Sequence, residues 1–443
     1  MSTDRDISEI TARHTYGTWR FQKGWRPLHV TRADGCYFWD KAGKRYLDLS
    51  AQLMCSNLGH QNEAVVEAIC KQARELSFIS PAFTCDVRAA VAEKLLEVMP
   101  KGLDKFFFAT SGTEANETAI KMARMVTGKH KIIARYSSYH GSTAASVAAT
   151  GDYRRWYAEP TSTVPYVLHG PEANCYRCPL QKDPHDCNLA CVDYLEYMIR
   201  EEANVAAVIV EPIVGTNGVL VPPKDYMPRL AAICKARGVL LICDEVMSGW
   251  GRTGEWFAVD HWGVIPDILT TAKGITSAMA PLGVVATSRQ VSDYFDDHFF
   301  AHGHTYEAHP LTLAPAIAAI DEYRRLDLLN RARTQGEILG GKLRELQRKH
   351  PAIGDVRGLG LFWALDLVRD RATRQPFNTP EDKAARKPMV IDEITGDLMK
   401  RGVFCMGWMS HLVLAPPLII DGAGIDEAVA ALDGALSIAD ARQ

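Results

Sequence analysis

Lys273 lies in "DILTTAKGITSA", between Ala272 and Gly274, with no charge at its immediate neighbours. A lysine kept from water and from acidic partners gives up its proton readily and can form a Schiff base with an aldehyde. Asp244 precedes it by 29 residues (273 − 244) and follows the apolar run Val239 to Cys243, which reads as a buried strand. A third set of residues stands earlier, in "FFFATSGTEANETAIKMARMV", residues 106 to 126. There Ser111 and Glu114 have the spacing of a capping box, and Ala115, Ala119, Met122 and Val126 share one helical face, so a helix is predicted to begin near Gly112. A strand, a Ser-Gly-Thr turn and a helix N-terminus form a nest of free N–H groups at the positive end of the macrodipole, a seat for one phosphate. Taken singly, each has a plain reading: a solvated surface lysine, a strand-end carboxylate, an ordinary capped helix. Together they match the three holds that an electron-sink pyridine cofactor needs: a lysine on its aldehyde, a carboxylate on its ring nitrogen and a phosphate cradle.

The elements that must carry these residues alternate. From about residue 105 to 290, the apolar runs "KFFFAT", "KIIARY", "VAAVIVEP", "VLLICDE", "DILTTAK" and "LGVVATS" are separated by helical stretches, one of them near 226 to 237. Strands alternating with helices imply an α/β unit with a largely parallel sheet covered on both faces. Ligands of such sheets sit outside the carboxyl ends of the strands, where Asp244, Glu211 and Lys273 all fall. The flanks differ. Residues 20 to 50 contain "CYFWDKAGKRYLDLS", two extended pieces around a turn, and residues from about 330 open with the amphipathic "LLNRARTQGEILGGKLRELQRKH" before short strands such as "LGLFWALDLV". We expect residues 1–60 to form the N-terminal part of a small α+β domain, 61–330 a large domain and 331–443 the C-terminal part of the small domain.

"DEVMSGWGRTGEW" contains Gly249, Gly251 and Gly254 in the dinucleotide-binding pattern G-x-G-x-x-G. That pattern binds pyrophosphate only as a tight turn joining a strand directly to a helix. Here Asp244 and Glu245 intervene and would repel a pyrophosphate, and the following "EWFAVDHWGVIPD" opens no long helix, so the glycines are read as a loop.

The bulk numbers agree with small-molecule chemistry. The 443 residues carry 50 Lys and Arg against 53 Asp and Glu, which excludes a broad basic face for nucleic acid. The opening "MSTDRDISEITARH" is too polar for a secretory signal, no run approaches a membrane span, and 11 scattered cysteines suit reduced thiols. A cytoplasmic protein is expected.

With these residues in view, the chain resembles along most of its length the class III, ω-type aminotransferases, pyridoxal 5′-phosphate enzymes of fold type I with the aspartate-aminotransferase-like architecture. The motifs that carry the resemblance are "SGTEANE" (Ser111 to Glu117), "YHGST" (Tyr139 to Thr143), "VEPI" with Glu211, "DEVMSGWGRTG" (Asp244 to Gly254), "PDILTTAKG" with Lys273, "HTYEAHP" with Thr305, and "APPL" (Ala415 to Leu418). The resemblance implies that Lys273 binds the cofactor aldehyde and later moves a proton, and that Asp244 pairs with the pyridinium. Ser111, Gly112 and Thr113 would hold the phosphate. Tyr139, next to His140, would stack on one ring face and Val246 would pack on the other, while Glu211 would stand near ring and substrate. Thr305 would reach the phosphate of a neighbouring subunit, making the active unit a homodimer or a dimer of dimers. The implied reaction moves an amino group from an ω-amino acid, taurine, β-alanine, 4-aminobutyrate or diamine to a keto acid such as pyruvate or 2-oxoglutarate. A phospholyase, an aminomutase or a decarboxylase would share the lysine and the aspartate, and a non-catalytic member would lack bound cofactor.

Two features depart from the family pattern. Many members hold the substrate carboxylate with an arginine shortly before the Pro-Pro-Leu segment, but no arginine occurs between Arg401 and those prolines, and position 413 is valine. Either Arg20, Arg26, Arg154 or Arg155 replaces it, or the donor is an amine of different shape; Trp19, Trp25, Tyr153, Trp156, Trp408 and His411 are candidate pocket residues. The second feature is Cys175, Cys178, Cys187 and Cys191, spaced C-x2-C-x8-C-x3-C. They suit either free thiols or a structural zinc site, with His185 as a substitute ligand; the chemistry itself needs no metal.

Overall fold

The computed structural model describes residues 6–159 and 164–443. An N-terminal antiparallel meander comprises β1 (Val30–Asp34), β2 (Tyr37–Asp40) and β3 (Arg45–Asp48). The central sheet uses β4 (Leu103–Ala109), β5 (Lys131–Arg135), β6 (Val167–Gly170), β7 (Val205–Val210), β8 (Leu240–Asp244), β9 (Ile268–Thr271) and β10 (Gly283–Ser288). Its order is β4-β10-β9-β8-β7-β5-β6, and only β10 runs against its neighbours. Every residue of β7 (VAAVIV) and β8 (LLICD) is buried, because helices cover both faces and leave no solvated side for polar residues to alternate with.

The sequence reading missed β6. It is short and mostly half-buried, and it lies at the edge beside β5, so its "VLHG" lacks the apolar run that marks the central strands. The helix expected near Gly112 spans Gly112–Thr127 and buries Ala115, Ala119 and Ala123. Ser111 is its N-cap and accepts from Glu114 N at 3.2 Å, but the Glu114 carboxylate turns to Thr110 rather than closing the expected capping box on Ser111. Thr110 offers both N–H and hydroxyl, which compete successfully for the one side chain.

The C-terminal part begins with the helix Leu328–Lys349, followed by β11 (Ile353–Leu359), β12 (Phe362–Asp370), β13 (Gln375–Pro376), β14 (Val403–Phe404), β15 (Met406–Trp408) and β16 (His411–Leu414). The order β11-β12-β16-β15 forms one sheet, while β14 pairs in parallel with β3, so the two ends of the chain share a sheet. Among the described residues, no helix is long and apolar enough to cross a membrane.

Candidate active site

Asp244 ends β8 and is almost fully buried. Its Oδ2 accepts from Asn116 Nδ2 at 2.7 Å and lies 2.8 Å from His140 Nδ1, while Oδ1 accepts from Val246 N at 3.0 Å. Thr270 Oγ1 donates to Asn116 Oδ1 at 2.6 Å, which fixes the amide so that its NH2 group faces the carboxylate. So many donors hold the carboxylate in one orientation. His140 Nε2 is buried without a partner among the described residues. Asn116 and Thr270 were not singled out from the sequence, although both lie inside quoted motifs; their importance comes from the β8–β9 pairing of Asp244 with Thr270.

Lys273 follows β9 and opens a 3₁₀ turn, Lys273–Thr276. Its φ of +51° is in the left-handed region, which a side chain other than glycine's adopts at a cost of roughly 1–2 kcal/mol. Burial lowers its amine pKa; Cys55, Asp244 and Glu211 oppose the shift, and the Arg154 charge adds to it. The side chain is half-buried, and its amine makes no hydrogen bond or ion pair among the described residues.

The start of the helix Gly112–Thr127 lies against Val246: a Cβ on Gly112 would stand 2.8 Å from both Val246 methyl carbons. Thr113 faces Gly141, whose added Cβ would be 2.9 Å from Thr113 Oγ1. Glu211, just beyond β7, accepts from Tyr139 N at 2.9 Å and from Gly215 N at 2.8 Å. Burial, with the nearby Asp244 charge, raises its pKa, so the carboxyl braces two loops as well as contributing to the field at Lys273. Thr305 is exposed and makes no hydrogen bond with this cluster among the described residues.

Arg154 is the arginine that enters the site. Its Nε and Nη2 grip Asp152 (2.5 to 3.1 Å), and its guanidinium lies 3.7 Å from the Tyr139 ring centroid and 4.5 Å from that of Trp408. Trp19 meets Tyr139 edge-on at 6.1 Å, and Tyr153 packs on Trp408 at 5.4 Å. Asn217 completes the wall, donating to Asp152 at 3.0 Å and accepting from Trp408 Nε1 at 3.2 Å. The other arginine candidates separate: Arg26 pairs with Asp6 and Arg155 with Glu159, both near the surface, whereas Arg20 lines the pocket outside Arg154. His411 is half-buried and lines a cavity together with Tyr153, Trp156 and Trp408; its Nε2 is 3.0 Å from the Thr216 carbonyl, and burial depresses its pKa to about 4, so it stands there as a neutral ring. Val413 is buried in β16 between Ala364 and Met406 and offers no anion hold.

Cys175, Cys178, Cys187 and Cys191 line one small cavity, and all are free thiols. Among the described residues, no three of His, Cys, Asp and Glu are placed to hold a metal ion, so the zinc ligand set allowed by spacing is not assembled. Arg177, between the first two cysteines, instead forks onto buried Asp366 of β12 at 2.9 and 2.7 Å, beside Arg357 at 3.0 Å.

Comparison with known proteins decides the family. Residues 21–436 match the model for aminotransferase class-III. The chain belongs to the class III aminotransferase family. The aminotransferase is 35% identical over 419 residues to a leucine/methionine racemase of Thermococcus litoralis, covering 93% of this chain and 91% of the relative. It is 32% identical to the taurine–pyruvate aminotransferase of Bilophila wadsworthia, covering 98% of each. The crystal structure of taurine:2-oxoglutarate aminotransferase from Bifidobacterium kashiwanohense, in complex with PLP and glutamate, superposes with a TM-score of 0.92 at 37% identity, over 100% of this chain and 99% of that one. The fold is therefore fold type I, and the aminotransferase is a PLP-dependent enzyme like its family.

The residues present fit that cofactor. A half-buried Lys273 amine, a carboxylate at Asp244 held by its donors, a His140 Nε2 unpartnered among the described residues and the free N–H groups at the start of a 16-residue helix supply one hold for each polar part of it.

Proposed function

We infer that this aminotransferase takes its amino group from a small donor whose far end is an anion, an ω-amino acid or a taurine-like sulfonate, and passes it to a keto acid. The observation that carries the reading is Arg154. It is 5% exposed, two of its nitrogens are occupied by Asp152, and Nη1 has no hydrogen bond among the described residues. A buried guanidinium with one free edge, framed by Trp19, Tyr139 and Trp408, offers only N–H donors and so suits an anion; the ammonium end of a diamine, itself a donor, finds no acceptor at that edge.

Pyridoxal phosphate, when bound, supplies an aldehyde for the amino group and a protonated ring that draws electrons from it. In this reading Lys273 Nζ, whose pKa is lowered by burial, takes the proton from the donor carbon and returns it. Asp244, held by Asn116, His140 and Val246 N, keeps its charge toward the ring nitrogen. Ser111, Gly112 and Thr113 offer donors to the phosphate; Tyr139 and Val246 bound the ring, and Glu211 fixes the Tyr139 loop. Thr305, exposed on the segment before the helix Pro310–Arg325, is proposed to serve a neighbouring subunit's phosphate in a dimer. The division at 60 and 330 is proposed as the domain organisation.

The test is stoichiometric. Holoenzyme given taurine, β-alanine, 4-aminobutyrate or putrescine without acceptor should deaminate one equivalent per active site and stop, with the anionic donors faster than putrescine. Sustained turnover without a keto acid would identify a lyase, mutase, decarboxylase or racemase, and a putrescine preference would sink the role of Arg154.

A further inference from the structure

Outside Arg154 lies a cavity of about 360 Å³ lined by Trp19, Arg20, Phe21, Arg154, Tyr157 and Lys383, among others. Its charged lining is entirely cationic: among the described residues, no carboxylate faces it. The three cations differ in how far they are neutralised. Arg154 is matched by buried Asp152. Arg20 has no ion pair among the described residues; its Nε donates to the Thr18 carbonyl at 3.3 Å and its guanidinium packs 5.6 Å from the Trp25 ring centroid. Lys383, on the short helix Pro380–Ala384, meets only Asp392, at 3.6 Å and largely in solvent. Just behind the rim, Arg386 packs over the Phe21 ring at 3.8 Å and adds to the positive field.

A donor with a single anionic end needs Arg154 alone. The two rim cations, Arg20 without an ion pair among the described residues and Lys383 bridged at 3.6 Å to a largely exposed Asp392, leave room for a second negative charge, which the acceptor brings. The water-excluding aromatic walls, of low dielectric, concentrate that field. We propose that the amino-group acceptor is a 2-oxo dicarboxylic acid, whose distal carboxylate is held by Lys383 and Arg20, in preference to a 2-oxo monocarboxylic acid such as pyruvate. The inference rests on the transaminase reading above and deepens it. Lys383 and Arg20 act as specificity residues: they touch the far end of the acceptor and leave the donor half of the cycle alone.

Two measurements on holoenzyme test this. In the first, the dead-end ligands glutarate and butyrate are titrated calorimetrically. Glutarate should bind about tenfold or more tightly than butyrate, the effect of one charge-assisted contact, with the difference shrinking as salt rises. Lys383→Met, alone and with Arg20→Gln, should abolish that difference while leaving butyrate affinity unchanged. In the second, acceptor kinetics with 2-oxoglutarate and pyruvate should show the same substitutions raising KM for 2-oxoglutarate about tenfold with kcat and the pyruvate constants held. Equal binding of the two ligands by the unsubstituted enzyme, or a loss shared equally by both acceptors, would overturn the proposal. Single-turnover deamination of the donor without acceptor is read alongside: if it succeeds while acceptor discrimination is absent, only this inference fails, and if it fails, the transaminase reading falls with it.

Discussion

The guanidinium of Arg154 lies 3.7 Å from the centre of the Tyr139 ring, so a cation is fixed to the same aromatic that the family motif assigns to the cofactor. A cation on an aromatic face, desolvated on both sides, is held in one orientation and its free edge is aimed without further ordering. Arg154→Met should therefore raise KM for an anionic donor by roughly 10- to 100-fold, as expected for one charge-assisted contact. Arg154→Lys should recover only part of the loss, because a point charge cannot both grip Asp152 and present a planar edge. Steady-state kinetics with taurine and a neutral amine separate the cases; an equal loss for both amines would argue for a merely structural role.

Lys273→Ala should lower turnover by roughly 10⁴-fold or more while the protein remains folded. Borohydride treatment should fix the cofactor on the peptide carrying Lys273 in the unsubstituted enzyme and on no peptide in the variant. Asp244→Asn keeps the shape and removes the charge, and should cost roughly 10²- to 10³-fold in kcat. Asn116 orients Asp244 and also donates to the His140 carbonyl at 2.7 Å, so the mark of Asn116→Ala should be a displaced pH profile of the bound cofactor's absorbance. An unmoved profile would show that Asn116 merely packs.

Glu245 gives a stability prediction. It is fully buried and burial raises its pKa to about 7, against hydrogen bonds from Ser248 and Val259 N that favour the charged form. With the folded value above the unfolded one of 4.5, its contribution is complete below pH 4.5 and is lost as pH rises through about 7. The upper bound on that loss is on the order of 3 kcal/mol. Glu245→Gln, which resembles the protonated acid, should raise the unfolding midpoint at pH 8 and leave it nearly unchanged at pH 4.5. A midpoint difference that is the same at both pH values would count against this assignment.

Residues with sequence-local causes were legible from the sequence. The helix start at Gly112 follows from Ser111 and the small apolar face, and Asp244 and Lys273 fall at strand ends that apolar runs mark. The loop reading of Gly249, Gly251 and Gly254 also follows: Gly251 and Gly254 take φ of +77° and +94°, and no long helix follows them. What sequence could not give were contacts between distant segments. Arg154 could be chosen over Arg20, Arg26 and Arg155 only once Tyr139, Trp408 and Asp152 had converged on it. His411 is another case, since its register opposite both Asp366 and Trp408, which brings its ring to the Thr216 carbonyl, is a pairing of separate strands that no local pattern announces.

The fork of Arg177 on Asp366 reaches further than its own loop. Asp366 stands across from His411 on one neighbouring strand, His411 across from Trp408 on the next, and Trp408 covers Arg154. A strut thus runs from the cysteine-bearing loop to the anion hold through cross-strand neighbours. Exchanging that loop between relatives would be felt as a change of amine selectivity, even though none of its cysteines faces the amine.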